Sequence, residues 1–298
     1  MRMHNNKTKR YSKEDFAEMT FLLCATVSVF ALLLIFIFLF ANGLPAIGEI
    51  GLWNFLTGRY WRTADIPPSF GILPMIVGSV YMTVGAVLIG VPVGIFTAIF
   101  LAFMCPKWMY TFLKPAVNLL AGIPSVVYGF FGMIVIVPFI RTISLHFTGG
   151  GSGASILSAM ILLGIMILPV VINISESALR AVPDSYYQGA LALGASHTRS
   201  VFFVVLPAAK SGVFASVILG LGRAVGETMA VVMVAGNQPR MPESIFRGAR
   251  TLTANIVIEM GYATDLHRYA LIATGIVLLI FILIINVIFT VVTRKKEQ

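Results

Sequence analysis

Long apolar runs alternate with short polar connections along the whole chain. Six runs reach the length needed to cross a hydrocarbon core of about 30 Å with about 20 helical residues. They cover residues 19–41, 72–103, 115–140, 156–178, 211–236 and 269–293. No segment alternates apolar and polar residues as a membrane-spanning strand would. In lipid, helices satisfy their backbone hydrogen bonds within one segment, so the pattern predicts an all-α membrane protein with six transmembrane helices. The polar remainder is a tail over 1–18, a loop over 42–71, an inner loop over 179–210 and a tail over 294–298, with 72–293 forming a five-helix core. The first run is longer than the apolar region of a signal peptide, about 7–15 residues, and no small-x-small site follows it. It reads as a retained anchor.

Composition agrees with lipid as the solvent. The chain is 58% hydrophobic and only 11% charged, with a mean hydropathy of +0.93. Soluble domains carry about 25% charged residues. Basic residues set the orientation. Arg2, Lys7, Lys9, Arg10 and Lys13 precede the first run, Lys107 and Lys114 follow the second, and Arg180, Arg199 and Lys210 follow the fourth. Arg294, Lys295 and Lys296 close the chain. Six spans put all of these on one side, predicted to be cytoplasmic, with both termini inside. The opposite loops hold Arg59, Arg62, Arg141, Arg240, Arg247, Arg250 and Arg268, so the bias is incomplete. The net charge of +9 is mostly this inner excess. No basic face joins an aromatic platform, which excludes nucleic acid as a partner. Cys24 and Cys105 have no metal-ligand spacing and read as packing residues.

The usual catalytic patterns are missing. There is no G-x-x-x-x-G-K-[ST] to cradle ATP phosphates and no H-E-x-x-H. The run from Gly220 to Gly226 has neither the spacing nor the preceding strand of a dinucleotide fingerprint. Gly150–Gly153 has the look of an intramembrane serine protease motif, but none of His4, His146, His197 and His267 lies deep in a span to activate Ser152. An enzyme site and a bound cofactor are therefore not expected in this chain.

The inner loop is too apolar to face water alone and calls for a protein partner. Pro183 fixes an entry turn, Asp184 or Ser185 is the expected N-cap, and Gly194 ends an amphipathic run beginning at Ser185. Gln188, Gly189 and Ala190, then Gly194 after three residues, then Val204-Val205-Leu206-Pro207 after nine more, resemble the E-A-A…G…I-x-L-P loop of ABC-importer permeases. Gln188 replaces Glu, Gly189 replaces Ala and Val204 replaces Ile, with the spacing intact. The resemblance implies a MetI-like (type I) importer permease fold. It also implies that this loop is a coupling helix, with Gln188, Gly189, Ala190, Gly194, Leu206 and Pro207 contacting a separate ATPase that supplies the ATP site.

Further segments resemble phosphate permeases of the PstC type. They are 69–102, 121–132 and "LGLGRAVGETMAVVMVAGN" followed by "RTLTANI" at 250–256. The resemblance implies transport of inorganic phosphate, a sister permease of PstA type, an ATPase dimer and an extracytoplasmic phosphate-binding protein.

Arg223 and Glu227 stand inside the fifth apolar run. An arginine at the centre of a membrane helix costs about 2.5–3.5 kcal/mol on insertion scales, so such a residue suggests a function. In a continuous helix, positions i and i+4 share a face and the two side chains meet. The planar fork of Arg223 suits an oxyanion, and Glu227 can accept the proton that phosphate retains at neutral pH. A salt bridge pinning this helix to a neighbour is the structural alternative, compatible with the first. Pro92 and Pro124 interrupt spans two and three. They read first as packing kinks and second as openings onto a path, lined by Ser125 and Tyr128. Trp53, Trp61 and Trp108 read as interfacial anchors. Residues 251–261 are expected to form a short helix with a Thr cap and a Gly stop, at the outer mouth. A sulfate or molybdate permease is one rival reading. A stand-alone secondary transporter is another, but only Glu227 is an acid clearly within a span, Glu176 lies near an end, and no repeat of the halves is evident.

Overall fold

The computed structural model describes residues 6–295. Arg2, His4 and Lys296 lie outside the described residues. Helix α1 (Asn6–Ile50) runs well past its apolar stretch and contains Pro45. It is followed by α2 (Leu52–Thr57) and two short antiparallel strands, β1 (Trp61–Arg62) and β2 (Ser69–Phe70), a small exception within an otherwise helical chain. The core then comprises α3 (Leu73–Ile99), α4 (Lys107–Gly122), α5 (Ser125–Phe131), α6 (Val137–Thr148) and α7 (Ile156–Arg180). A connection of α8 (Asp184–Ala192), α9 (His197–Ser200) and α10 (Leu206–Ala208) leads to α11 (Lys210–Gly226) and α12 (Met229–Val234). Helices α13 (Leu252–Glu259) and α14 (Asp265–Lys295) complete the chain. Among the described residues, three five-residue π turns widen it: Phe100–Met104 after α3, Gly132–Ile136 between α5 and α6, and Val201–Val205 between α9 and α10. Each closes on an i→i+5 bond, as from Cys105 N–H to the Phe100 carbonyl at 2.8 Å.

Among the described residues, five helical stretches are long and apolar enough to cross a membrane: Glu14–Ile50, Leu73–Met104, Ser125–Phe147, Ile156–Arg180 and Asp265–Ile288. A sixth is obtained by joining His197–Ala208 to Lys210–Gly226 across a 71° bend. Two predicted spans are revised. The third begins at Ser125, because residues 115–122 belong to α4, a separate helix that ends at the Ile123–Pro124 break. Proline lacks the amide proton a continuing helix needs and restricts the residue before it. The fifth is broken at Glu227–Thr228 instead of running unbroken to 236.

The centre of the fold is the crossing of α3 and α7, made close by small residues. A Cβ added at Gly90 would come within 2.6 Å of the Gly164 carbonyl, and one at Gly94 within 2.7 Å of Val171. Membrane helices gain little hydrophobic drive from meeting each other, so close van der Waals contact at glycines supplies the association. Around this crossing, Met82, Ala86, Leu162, Leu163, Met166 and Ile167 form a buried core that Tyr128, Ala224 and Ala230 join. Helix α1 packs on α14 at the periphery, and no residue of its most apolar window is buried.

Candidate functional site

Arg223 lies in the last turn of α11 and Glu227 just beyond it. The expected shared helix face does not exist: Glu227 is extended (φ −70°, ψ 130°), so its side chain leaves the position an i+4 residue would take. The carboxylate turns forward instead. Its Oε1 accepts the backbone N–H of Ala230 at 3.2 Å, serving the first turn of α12. A helix start leaves such N–H groups unpaired, and a carboxylate there is favoured by the local dipole. The exposed backbone of the break is also met from α13, where Thr253 Oγ1 donates to the Glu227 carbonyl at 3.1 Å. Thr251 caps α13 by accepting from Ala254 N–H, as expected, and the helix ends at Glu259, short of Gly261.

Arg223 is half-buried and makes no hydrogen bond or ion pair with any described residue. Its guanidinium lies within electrostatic reach of Tyr128. Tyr128 sits on α5 just past the second break, and its hydroxyl donates back across that break to the Leu120 carbonyl at 2.8 Å. The two breaks are held together because α12 packs on α5 through Gly129, where a Cβ would lie 2.6 Å from Met233 Sδ and 3.0 Å from Ala230 Cα. The structure thus brings Arg223, Glu227 and Tyr128 to one junction of two interrupted helices. Ser125 stands at the first position of α5.

The connection after α7 is largely as the sequence predicts. Helix α8 ends at Ala192, and Gly194 has φ +85°, the left-handed conformation that only glycine adopts without strain. Pro183 takes the N-cap position, and neither Asp184 nor Ser185 provides a side-chain cap, since proline already sets the extended backbone that starts the helix. Gln188, Gly189, Gly194 and Pro207 are exposed, Leu206 is half-buried and Ala190 is buried. Leu193 at the tip is 91% exposed, and Phe203 is also outward. Tyr187 anchors the loop by stacking on Phe103 and bonding His197 Nδ1 at 2.6 Å.

Two buried polar clusters escape sequence reasoning. In the first, Glu176 Oε2 accepts from Lys114 Nζ at 2.7 Å, and Oε1 accepts from Arg180 Nε and Tyr110 OH, each at 2.9 Å. Burial first, and the Glu176 carboxylate second, push the Tyr110 hydroxyl above its ordinary range, so it remains a donor. In the second, Glu259 accepts from Arg250 and from Trp61 Nε1 at 2.8 Å, and His267 Nε2 lies 2.8 Å from it. Trp61 is therefore no interfacial anchor: it is 5% exposed and ties the β1 hairpin to α13, whereas Trp53 and Trp108 are exposed as anchors would be. Each cluster joins residues far apart in sequence, and only the ionisable character of Glu176 in an apolar run hinted at the first. Among the described residues, no group of His, Cys, Asp and Glu could hold a metal ion.

A model of the binding-protein-dependent transport system inner membrane component matches residues 90–298. The chain belongs to that family. It is 39% identical to a probable ABC transporter permease protein, YqgH, of Bacillus subtilis, over 96% of this chain and 94% of the relative. It is 36% identical to the phosphate transport system permease protein PstC of Mesorhizobium japonicum, over 83% of this chain and 80% of that one. In fold it resembles a chain of the MetNI methionine ABC transporter in an inward-facing conformation, with a TM-score of 0.60 at 20% identity, over 76% of this chain and 96% of the other. The protein is a multi-pass permease subunit of an ABC importer with the MetI-like fold. Both of these curated relatives are named as permease proteins.

Proposed function

We propose that this permease forms half of the path of an ATP-driven importer of inorganic phosphate, with Arg223 and Glu227 as the contacts for the passing anion. The observation that carries this reading is the position of Arg223, an unpartnered cation at the junction of two broken helices. In a low-dielectric setting a lone guanidinium attracts an anion far more strongly than in water, and its parallel donors fit an oxyanion. Glu227 is committed to Ala230 N–H through one oxygen only. The other is free to accept a P–O–H proton, which sulfate does not offer at neutral pH. The relatives named as phosphate permeases support phosphate over sulfate or molybdate.

In this reading ATP is bound by a partner ATPase dimer and not by this chain. The ATPase meets α8 through Gln188, Gly189, Ala190 and Gly194, with Leu206 and Pro207 at the end of the loop. A sister permease of PstA type supplies the other half of the path, and an extracytoplasmic phosphate-binding protein docks at the α13 end. Both termini then lie in the cytoplasm and the β1–β2 hairpin outside. The test is reconstitution of the whole complex in proteoliposomes. ATP-dependent uptake of radiolabelled phosphate, unaffected by excess sulfate and molybdate, is the expected result. ATP-dependent uptake of sulfate or molybdate in its place, or phosphate uptake that needs no ATPase, refutes it.

A further inference from the structure

We infer that Lys114, Glu176 and Arg180 are positioning residues: they form a link that carries movement of α8 to the α4–α5 break and sets how much solute is moved per ATP. The inference rests on the ATPase coupling proposed above. Its basis is where the three charges sit. Arg180 is the last residue of α7, and three residues separate it from α8. Arg180 Nη2 also donates to the Leu101 carbonyl at 2.9 Å, in the π turn that ends α3, and its guanidinium lies 5.1 Å from the Tyr110 ring centre. Glu176, one turn earlier on α7, is 2% exposed. It binds Lys114 and Tyr110, both on α4, and Lys114 donates in addition to Asn173 Oδ1 at 2.7 Å. The root of α8 is thereby fastened by charge to α3 and α4 together.

The 16 residues of α4 form a rod about 24 Å long. Its far end is the break at Ile123–Pro124, where Tyr128 bonds the Leu120 carbonyl within electrostatic reach of Arg223. None of the three linked residues touches Arg223 or Glu227 in the hydrogen bonds and ion pairs of the described residues. Stability alone gives little reason for such a cluster, because a buried ion pair is often no more stable than apolar packing of the same volume. Its distinctive property is a fixed geometry across three elements. Two cations serve one carboxylate, so loss of Lys114 leaves Glu176 paired with Arg180 and removes the charged one of its two α4 contacts without stranding a buried charge.

The test uses the complete complex, with ATP hydrolysis and phosphate uptake measured on the same proteoliposomes. Lys114→Met is expected to assemble and hydrolyse ATP at a near-normal rate while phosphate moved per ATP falls about tenfold, within the range of typical coupling energies. Lys114→Arg, which keeps the charge and reach, is expected to restore it. A merely structural pin would lower the amount of complex and leave the ratio unchanged. A normal ratio in Lys114→Met, or no recovery in Lys114→Arg, overturns the inference. Should Lys114→Met fail to assemble, Tyr110→Phe removes the other α4 contact to Glu176, and a normal ratio there overturns the inference equally. Absence of ATP-driven phosphate uptake by the wild type would instead refute the proposed function itself.

Discussion

Replacing Arg223 by lysine separates recognition from architecture. Among the described residues Arg223 has no hydrogen-bond or ion-pair partner, and Glu227 is held by Ala230 N–H at 3.2 Å independently of Arg223. Lysine keeps the charge at the end of α11 and breaks no side-chain hydrogen bond of Arg223 among the described residues, so folding and assembly should stay close to wild type. For the passing anion the change is larger. A lysine is a point charge without the planar fork, so at least one charge-assisted hydrogen bond is lost. Such a bond contributes about 1.5–3 kcal/mol, or about 10- to 150-fold in rate if it is made on passage. Uptake by Arg223→Lys should fall by that factor, and by more in Arg223→Gln, which also removes the charge. The binding protein's own affinity should be unchanged. Exchanging the two residues, Arg223→Glu with Glu227→Arg, should not rescue uptake, since no pair exists to be restored and the Ala230 contact is lost. The assay is phosphate uptake in membrane vesicles, with assembly checked by pull-down. Full uptake by both the lysine variant and the exchanged pair would refute a role for these residues in oxyanion recognition.

Gly194→Trp forces a side chain onto a backbone at φ +85°, so it should misdirect the end of α8; copurification of the ATPase is expected to be lost while membrane insertion is normal. A cysteine at Asp65, in a background lacking Cys24 and Cys105, should react with an impermeant reagent in intact cells, and labelling only after the cells are opened would reverse the orientation. Gly90→Val would place a branched side chain against the Gly164 carbonyl, 2.6 Å from where its Cβ must lie. It should lower thermal stability by at least about 1–3 kcal/mol, as overpacking does, read as a fall in the melting temperature of the purified complex.

The spans were legible because apolar length and scarce charge are local properties of a sequence. The loop at 188–207 was legible because spacing survives substitution: Gln188 and Val204 differ from the pattern while Gly194 and Pro207 keep their places. The junction was half legible. Arg223 and Glu227 stand out by composition, but their relation depends on one backbone turn, and the apolar run continues through Met229–Val234 as though the helix did. Pro124 marks the other break, but a proline in a span signals a kink as readily as a new helix. The clusters around Glu176 and Glu259 were not legible. Lys114 is 62 residues from Glu176, and Trp61 is 198 from Glu259, and nothing local to either residue names its partner.

The π turn at Val201–Val205 gives the nine-residue interval between Gly194 and Val204 a geometric meaning. Such a turn holds one residue more than the α-helix it interrupts. The interval therefore counts one residue that the wide turn absorbs. Deleting any one residue from this turn would let a plain α-helix close over the gap, and the helix beyond it would keep roughly its present phase. Leu206 and Pro207 would show roughly the faces they show now while standing one place nearer Gly194. In this stretch the count of residues and the direction of the chain are separate properties, and a variant one residue shorter would misalign by letter and still agree by angle.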